Sequence, residues 1–469
     1  MFLKIATLRE RLHAVILNKG EQGYVTEGLD KELDSLPDSY DRLIEFAEGL
    51  ASLSVRSDWK YVEPNDLDGI WAEASPNRPV GQIADVNLDD STRRVEAAFL
   101  GSICGCILGK PLEARFTGHE IRKALQQIGE WPLNQYVSKQ IESVLPRVHR
   151  SFPETAREYI RYVAPDDDIN YTIMGMLILE RFGPDFTHAN MKELWLHHLP
   201  ISTTFGPERT LLLQSGAESF DIQHRDYFAD KGGVGLSGVL VPDESESFLN
   251  VFNDIMNPGA ELCGAAIRAD AYGYACPGNP EMAASLAWKD ASFTHKGTGI
   301  YGTMFIAAVI ACAQVMHDRM DIIETALRFV PRRSRFYERV SASLKDVRES
   351  GDWEEAYAKI NNKFGEYGHC RIYQEIGMLI NTFSFAENVG HGICIQVSQG
   401  ADTDSFGATS GSILGAYFGP GHLESRWLEL FNDDIHSGLA WFFERSLSKL
   451  GIRMGRLPST VKELSLIHI

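Results

Sequence analysis

The hydrophobic pattern of this chain is helical almost from end to end. Ser91 to Leu108, Asn170 to Phe182, Pro280 to Ser292, Gly299 to Met316, Met320 to Phe329 and Asp404 to Phe418 carry apolar residues at three- and four-residue spacing, and strand-like alternation is nearly absent. The pattern predicts an all-α fold, a compact multi-helix body. With 469 residues the chain exceeds the roughly 250–300 at which single cores stop growing, so a main domain with an appendage is expected. Ile5 to Leu17 and Tyr40 to Leu53 are helical by the same spacing, and the breakers Glu63-Pro64-Asn65-Asp66 and Ser75-Pro76-Asn77-Arg78-Pro79 follow them. Residues 1–88 are therefore predicted as an N-terminal helical appendage, 89–455 as the main domain and 456–469 as a tail. The apolar stub Leu464 to Ile469 reads as a truncated frame or adaptor read-through and is given no function.

Composition narrows the class. Hydrophobic residues are 44% and charged residues 23%, with 41 Gly and 19 Pro, which excludes collagen-like and wholly disordered chains. The formal net charge of −19 repels polyanions, so neither nucleic acid nor an anionic membrane is expected as a partner. Met1 to Leu17 is interrupted by Lys4, Arg9, Glu10 and Arg11 and lacks the apolar core of a secretion signal. Met304 to Ala313 is about half the ~20 residues that span a bilayer and reads as a buried helix, so no membrane span is predicted. Seven scattered cysteines fit reduced thiols and a cytoplasmic location.

Two acidic turns stand out. Asp166-Asp167-Asp168 follows Pro165 and opens a helix, where the positive end of the dipole offsets part of the mutual repulsion. Asp402-Thr403-Asp404-Ser405 opens a second helix whose Gly407, Ala408, Ser410, Gly411, Ser412 and Gly415 permit close packing. Each alone reads as an ordinary acidic cap; together they offer hard oxygen ligands to Mg²⁺ or Mn²⁺. Cys104-Gly105-Cys106 lies in an apolar helix and reads as core packing. Lys231 to Gly235 and Cys276-Pro277-Gly278-Asn279 read as surface loops near a site.

In order along the chain, Gly105-Cys106-Ile107-Leu108-Gly109-Lys110-Pro111-Leu112-Glu113, Asp166 to Thr172, Gly264-Ala265-Ala266-Ile267-Arg268, Thr294-His295 with Gly299-Ile300-Tyr301-Gly302, and Gly400 to Ser405 resemble the ADP-ribosylglycohydrolases. The resemblance runs from about Val95 to Gly419. It implies an all-helical fold holding two Mg²⁺ ions and cleaving the bond between C1 of the distal ribose of ADP-ribose and its acceptor, a modified protein or a small ribosylated molecule. It also implies that Asp166, Asp167, Asp168, Asp402, Asp404 and Ser405 ligate metal, with Asp167 and Asp404 counted as catalytic beside Glu113. Gly264, Ala265, Ala266, Arg268, His295, Gly299 and Tyr301 would line the substrate.

Several positions depart from that family's pattern. Asp166 stands where Thr or Ser is usual, Ile169 where many members have Thr, and Leu262-Cys263-Gly264 where Gly-Asn-Gly is usual. Arg268 has two readings, recognition of a diphosphate or an ion pair with Asp270 or Glu261. His295 is read as a binding residue, against a purely structural hydrogen bond. Three alternatives stay open: a hydrolase of another ribosyl compound, an inactive family member, and an isoprenoid-synthase-like Mg²⁺ enzyme, which is disfavoured because its Asp-x-x-Asp pattern is missing.

Overall fold

A computed structural model describes residues 4–113, 115–212, 257–365 and 370–467. The predicted loop Lys231 to Gly235 lies outside them. Helices dominate, and among the described residues the extended segments meet only as isolated bridges. The fold is all-α.

The chain divides into two units, Met1–Tyr61 with Thr204–Glu261, and Val62–Thr203 with Leu262–Ile469. In the smaller, helices Ile5–Glu21, Leu29–Ser35 and Tyr40–Leu50 enclose a core of Leu8, Leu12, Val15, Ile16, Leu33, Leu43, Ala47 and Leu50. The division at Tyr61 differs from the boundary expected near Leu88. The reason is that the Pro- and Asn-rich breakers, counted with the appendage by sequence, are tied to the larger unit. Glu63 forms a buried ion pair with Arg335 at 2.8 Å, Pro64 O accepts from Tyr301 at 2.6 Å, and Asn65 takes the Trp288 indole N–H and the Gly297 N–H, both at 2.8 Å. Breakers thus shape a strap whose polar groups are satisfied by the surface beneath it.

The larger unit is organised by three helices. Thr298–Ala313 is buried at every residue, as its uninterrupted apolar run predicts. Leu88–Gly109, N-capped by Asn87 onto the N–H groups of Asp89 and Asp90, packs along Thr403–Phe418. Their glycines recur every fourth residue and face each other. A methyl group on Gly105 would sit 1.9 Å from Gly407 O, and one on Gly109 2.0 Å from Thr403 O. The backbones touch, so the end of the first helix is pressed against the start of the second, and Thr403 Oγ1 donates to Gly109 O at 2.8 Å. The stretch Leu88–Leu112 is apolar and long enough to cross a membrane, which Met304 to Ala313 is not, but 83% of its apolar window is buried within the protein.

One further expectation is corrected. Cys276 to Asn279 is no surface loop: Gly278, at φ +67°, exchanges backbone hydrogen bonds with Ala311 and Ile83, and the Asn279 side chain caps helix Pro280–Ala291. Residues Leu457–Ile467 form a helix with Leu457 and Val461 buried.

Candidate active site

The two acidic turns meet. Asp166 caps helix Asp167–Phe182 by accepting the Asp168 N–H at 3.1 Å, and Ser405 Oγ, 237 positions on from Asp168, donates to Asp168 Oδ2 at 3.4 Å. Between the turns stands Lys110, delivered by the glycine contact just described. Its Nζ lies 2.6 Å from Asp166 Oδ2, 2.6 Å from Asp404 Oδ2 and 2.8 Å from Glu113 Oε2. The second turn is fixed from outside the helix as well, because Ala401 N–H donates to Phe116 O at 3.0 Å. Cys106, on the apolar helix, brings its sulfur within 4.8 Å of carboxylate oxygens of Asp166 and Asp168.

One ammonium cannot neutralise so many buried carboxylates. Burial works against the Lys110 charge, yet Asp166, Asp404 and Glu113 hold it well above the ordinary lysine range. Burial likewise opposes charge on Asp404, but Lys110 outweighs it and keeps this carboxylate below its usual range. Asp167 and Asp168 are pushed well above theirs by burial and then by Asp166. Glu113, whose side chain is 25% exposed, is raised to about 9 by burial and by Asp404. The cluster therefore retains protons wherever no further cation compensates it.

The donor set fits such a cation. Asp168 Oδ1 and Asp404 Oδ1 are buried without a hydrogen-bond partner, the state in which a carboxylate oxygen is costly unless a cation takes it. Glu113, Asp402 and Asp404 each bring an oxygen within 4.8 Å of the others. Oxygen-only ligands of this kind suit a hard divalent ion.

The family model for ADP-ribosylglycohydrolases matches residues 87–450. The chain belongs to that family. Its members are metal-dependent glycosidic hydrolases, so the isoprenoid-synthase alternative falls away. No curated protein matches the chain. Among solved structures, one described as an ADP-ribosylglycohydrolase-related protein complex is similar at 17% identity over 79% of this chain and 99% of the other, with a TM-score of 0.44.

In this ADP-ribosylglycohydrolase the remaining predicted residues fall on the segment Cys263–Arg268, on Thr294-His295 and on helix Thr298–Ala313. Cys263–Arg268 is a 3-10 helix with Ala265 and Ala266 fully buried, so only Gly264 of that run keeps exposed surface. Arg268 is 1% exposed and pairs with Asp290, with Thr294 Oγ1 at 2.8 Å and Gly264 O at 3.2 Å. His295 is buried against Thr294 Oγ1 at 2.7 Å, and burial and then Arg268 push its pKa well below the usual value, which keeps it neutral. Gly299 is buried, its carbonyl accepting from Thr303, and the Tyr301 hydroxyl is spent on Pro64 O.

Sequence reading missed Lys110 as a site residue, although a lysine directly after an apolar glycine helix was a usable signal. It also missed His149, whose Nε2 lies 3.5 Å from Glu113 Oε2 and whose Nδ1 bonds Ser151 Oγ at 2.7 Å. No motif surrounds His149, so only the fold brings it to the site.

Proposed function

We propose that this chain is a Mg²⁺-dependent hydrolase that cleaves the N- or O-glycosidic bond at C1 of the ribose in an ADP-ribosylated protein or a small ribosylated compound, releasing ADP-ribose. The reading rests on one observation: two acidic turns from opposite halves of the domain share a buried cluster with partnerless carboxylate oxygens, beside a glutamate that solvent reaches. Asp167, Asp168, Asp402, Asp404 and Ser405 would hold two Mg²⁺ ions, with Mn²⁺ as a substitute. When bound, the ions supply positive charge that orients the ribose hydroxyls and steadies the negative charge developing on the departing group.

The chain's own residues do the rest. Asp166 serves a different need, since one oxygen caps a helix and the other meets Lys110. Lys110 is a fixed positive charge that holds Asp166, Asp404 and Glu113 in one orientation. Glu113 is the group placed to move a proton at its carboxyl oxygen, because it combines access to solvent with a raised pKa. Breaking the bond to ribose builds positive charge on the sugar, which the negative cluster favours. The seven free cysteines support a cytoplasmic setting.

A hydrolase of a different ribosyl compound is the second reading, favoured by Cys263, which hydrogen-bonds Asp402 Oδ2 at 3.2 Å, and by the buried Ile169. The deciding experiment incubates the purified protein and Mg²⁺ with ADP-ribosylated arginine, serine and nucleotide substrates. ADP-ribose should be released from at least one, EDTA should stop it, and Asp404→Ala should lower turnover by orders of magnitude with an unchanged helical spectrum. Full activity in chelator, or in the Asp404→Ala protein, contradicts the proposal.

A further inference from the structure

A second set of metal-ligating groups adjoins the acidic cluster, and it contains sulfur. Leu262 and Arg371 form an antiparallel bridge between two segments more than a hundred positions apart, which sets Cys263 beside Cys370. Both thiols donate to the same oxygen, Asp402 Oδ2, each at 3.2 Å, and the three ligand atoms all lie within 4.8 Å of one another. Ligand atoms around a tetrahedral ion with metal–sulfur bonds of about 2.3 Å and metal–oxygen bonds of about 2.0 Å stand roughly 3.5 Å apart, so these three already approximate one face of such a site.

A second observation points to a cation there. Glu375 is 1% exposed, its Oε1 accepts the Cys370 N–H at 3.0 Å, and its Oε2 is buried with no hydrogen-bond partner. A buried carboxylate oxygen left unpaired one hydrogen bond away from Cys370 adds negative charge beside the two thiols, which a cation would offset. Asp402 makes no cap bond to the helix it precedes, and its Oδ2 accepts from both thiols.

We propose that Cys263, Cys370 and Asp402 form a binding site for a soft divalent ion of the Zn²⁺ type, with the fourth position left to solvent and Glu375 as a charge beside it. On binding, each thiol gives up its proton to solvent, two metal–sulfur bonds form, and no electron is transferred. The ion would take Asp402 away from the hard-cation cluster. Resting here on the proposed hydrolase reading, occupancy of the thiol site therefore inhibits turnover.

Co²⁺ is the probe, titrated into the full-length protein kept reduced with a phosphine. Tetrahedral thiolate coordination gives sulfur-to-cobalt charge-transfer absorption in the near ultraviolet, which reads the ligands without reference to activity. The expected result is a saturable band at one Co²⁺ per chain, displaced by Zn²⁺, lost in Cys263→Ser and in Cys370→Ser, and retained in Cys276→Ala. The band should also persist in Asp404→Ala, which disables the hard-cation cluster alone. In an active preparation, Zn²⁺ inhibition should weaken at least tenfold in either Cys→Ser variant. Absence of a charge-transfer band, or its survival in either Cys→Ser protein, or its loss in Asp404→Ala, overturns the proposal. A protein with the band but no Mg²⁺-dependent hydrolysis refutes the hydrolase reading and leaves the thiol site standing.

Discussion

Single residues in this protein are set by where charge is buried. Asp270 is a case away from the carboxylate cluster: it is 2% exposed, with Ser102 Oγ at 3.4 Å and Tyr274 OH at 3.5 Å from its Oδ2, and burial raises it to about 7 despite those hydroxyls. Its folded pKa exceeds its unfolded one, so protons favour the fold. The group disfavours folding progressively as pH climbs from about 4 to 7, by about 4 kcal/mol at the plateau. Asp270→Asn should therefore stabilise the protein, with an advantage in urea melts that grows between pH 4 and 7 and is flat above. An advantage independent of pH would show that Asp270 is not the titrating group. At this scale the sequence made the acidic turns legible because adjacent carboxylates are rare outside caps and cation sites. It could not separate Asp166, which caps and pairs, from Asp168, whose oxygen is left over, because that depends on where Lys110 arrives. Arg268 and His295 each carried a ligand reading and a structural one, and their neighbours Asp290 and Thr294 became visible only in three dimensions.

At the scale of elements, the site exists because two helices touch through glycine. Helix periodicity predicted both, and the small residues of the second were read as a packing face. Their register against Gly101, Gly105 and Gly109 was not legible, since spacing along one helix does not say which partner fills the groove. Gly105→Ala tests that contact. A methyl group 1.9 Å from Gly407 O forces the helices apart, at a cost of about 3 kcal/mol or more, and should weaken cation binding in the same variant by displacing Lys110 from Asp404. Gly49, exposed within Tyr40–Leu50 with nothing within 4 Å of an added methyl, provides the contrast: Gly49→Ala should be neutral or stabilise by up to ~1 kcal/mol. Equal destabilisation in the two proteins, measured by thermal melts, would remove the special role of the glycine contact. The strap at residues 62–83 illustrates the opposite limit of sequence reading, because proline and asparagine mark irregular backbone and say nothing of what it docks against.

For the whole molecule, the net charge of −19 and the buried carboxylates make folding and cation binding a linked pair. Glu113, Asp167 and Asp168 hold protons because burial and neighbouring carboxylates disfavour their charged forms. A divalent ion has to displace those protons, so Mg²⁺ affinity should rise from pH 6 to pH 8, and calorimetry in buffers of different ionisation enthalpy should register proton release. Affinity that is flat or falls with pH would place the ion elsewhere. The central claim is that acidic turns from opposite halves of the domain serve one cation site, and titration of Mn²⁺ into the wild type, Asp168→Ala and Asp404→Ala tests it most directly. The expected result is binding in the wild type that either substitution abolishes, with the helical fold intact in both. Wild-type-like titration of one variant, or no Mn²⁺ binding by the wild type, would contradict it.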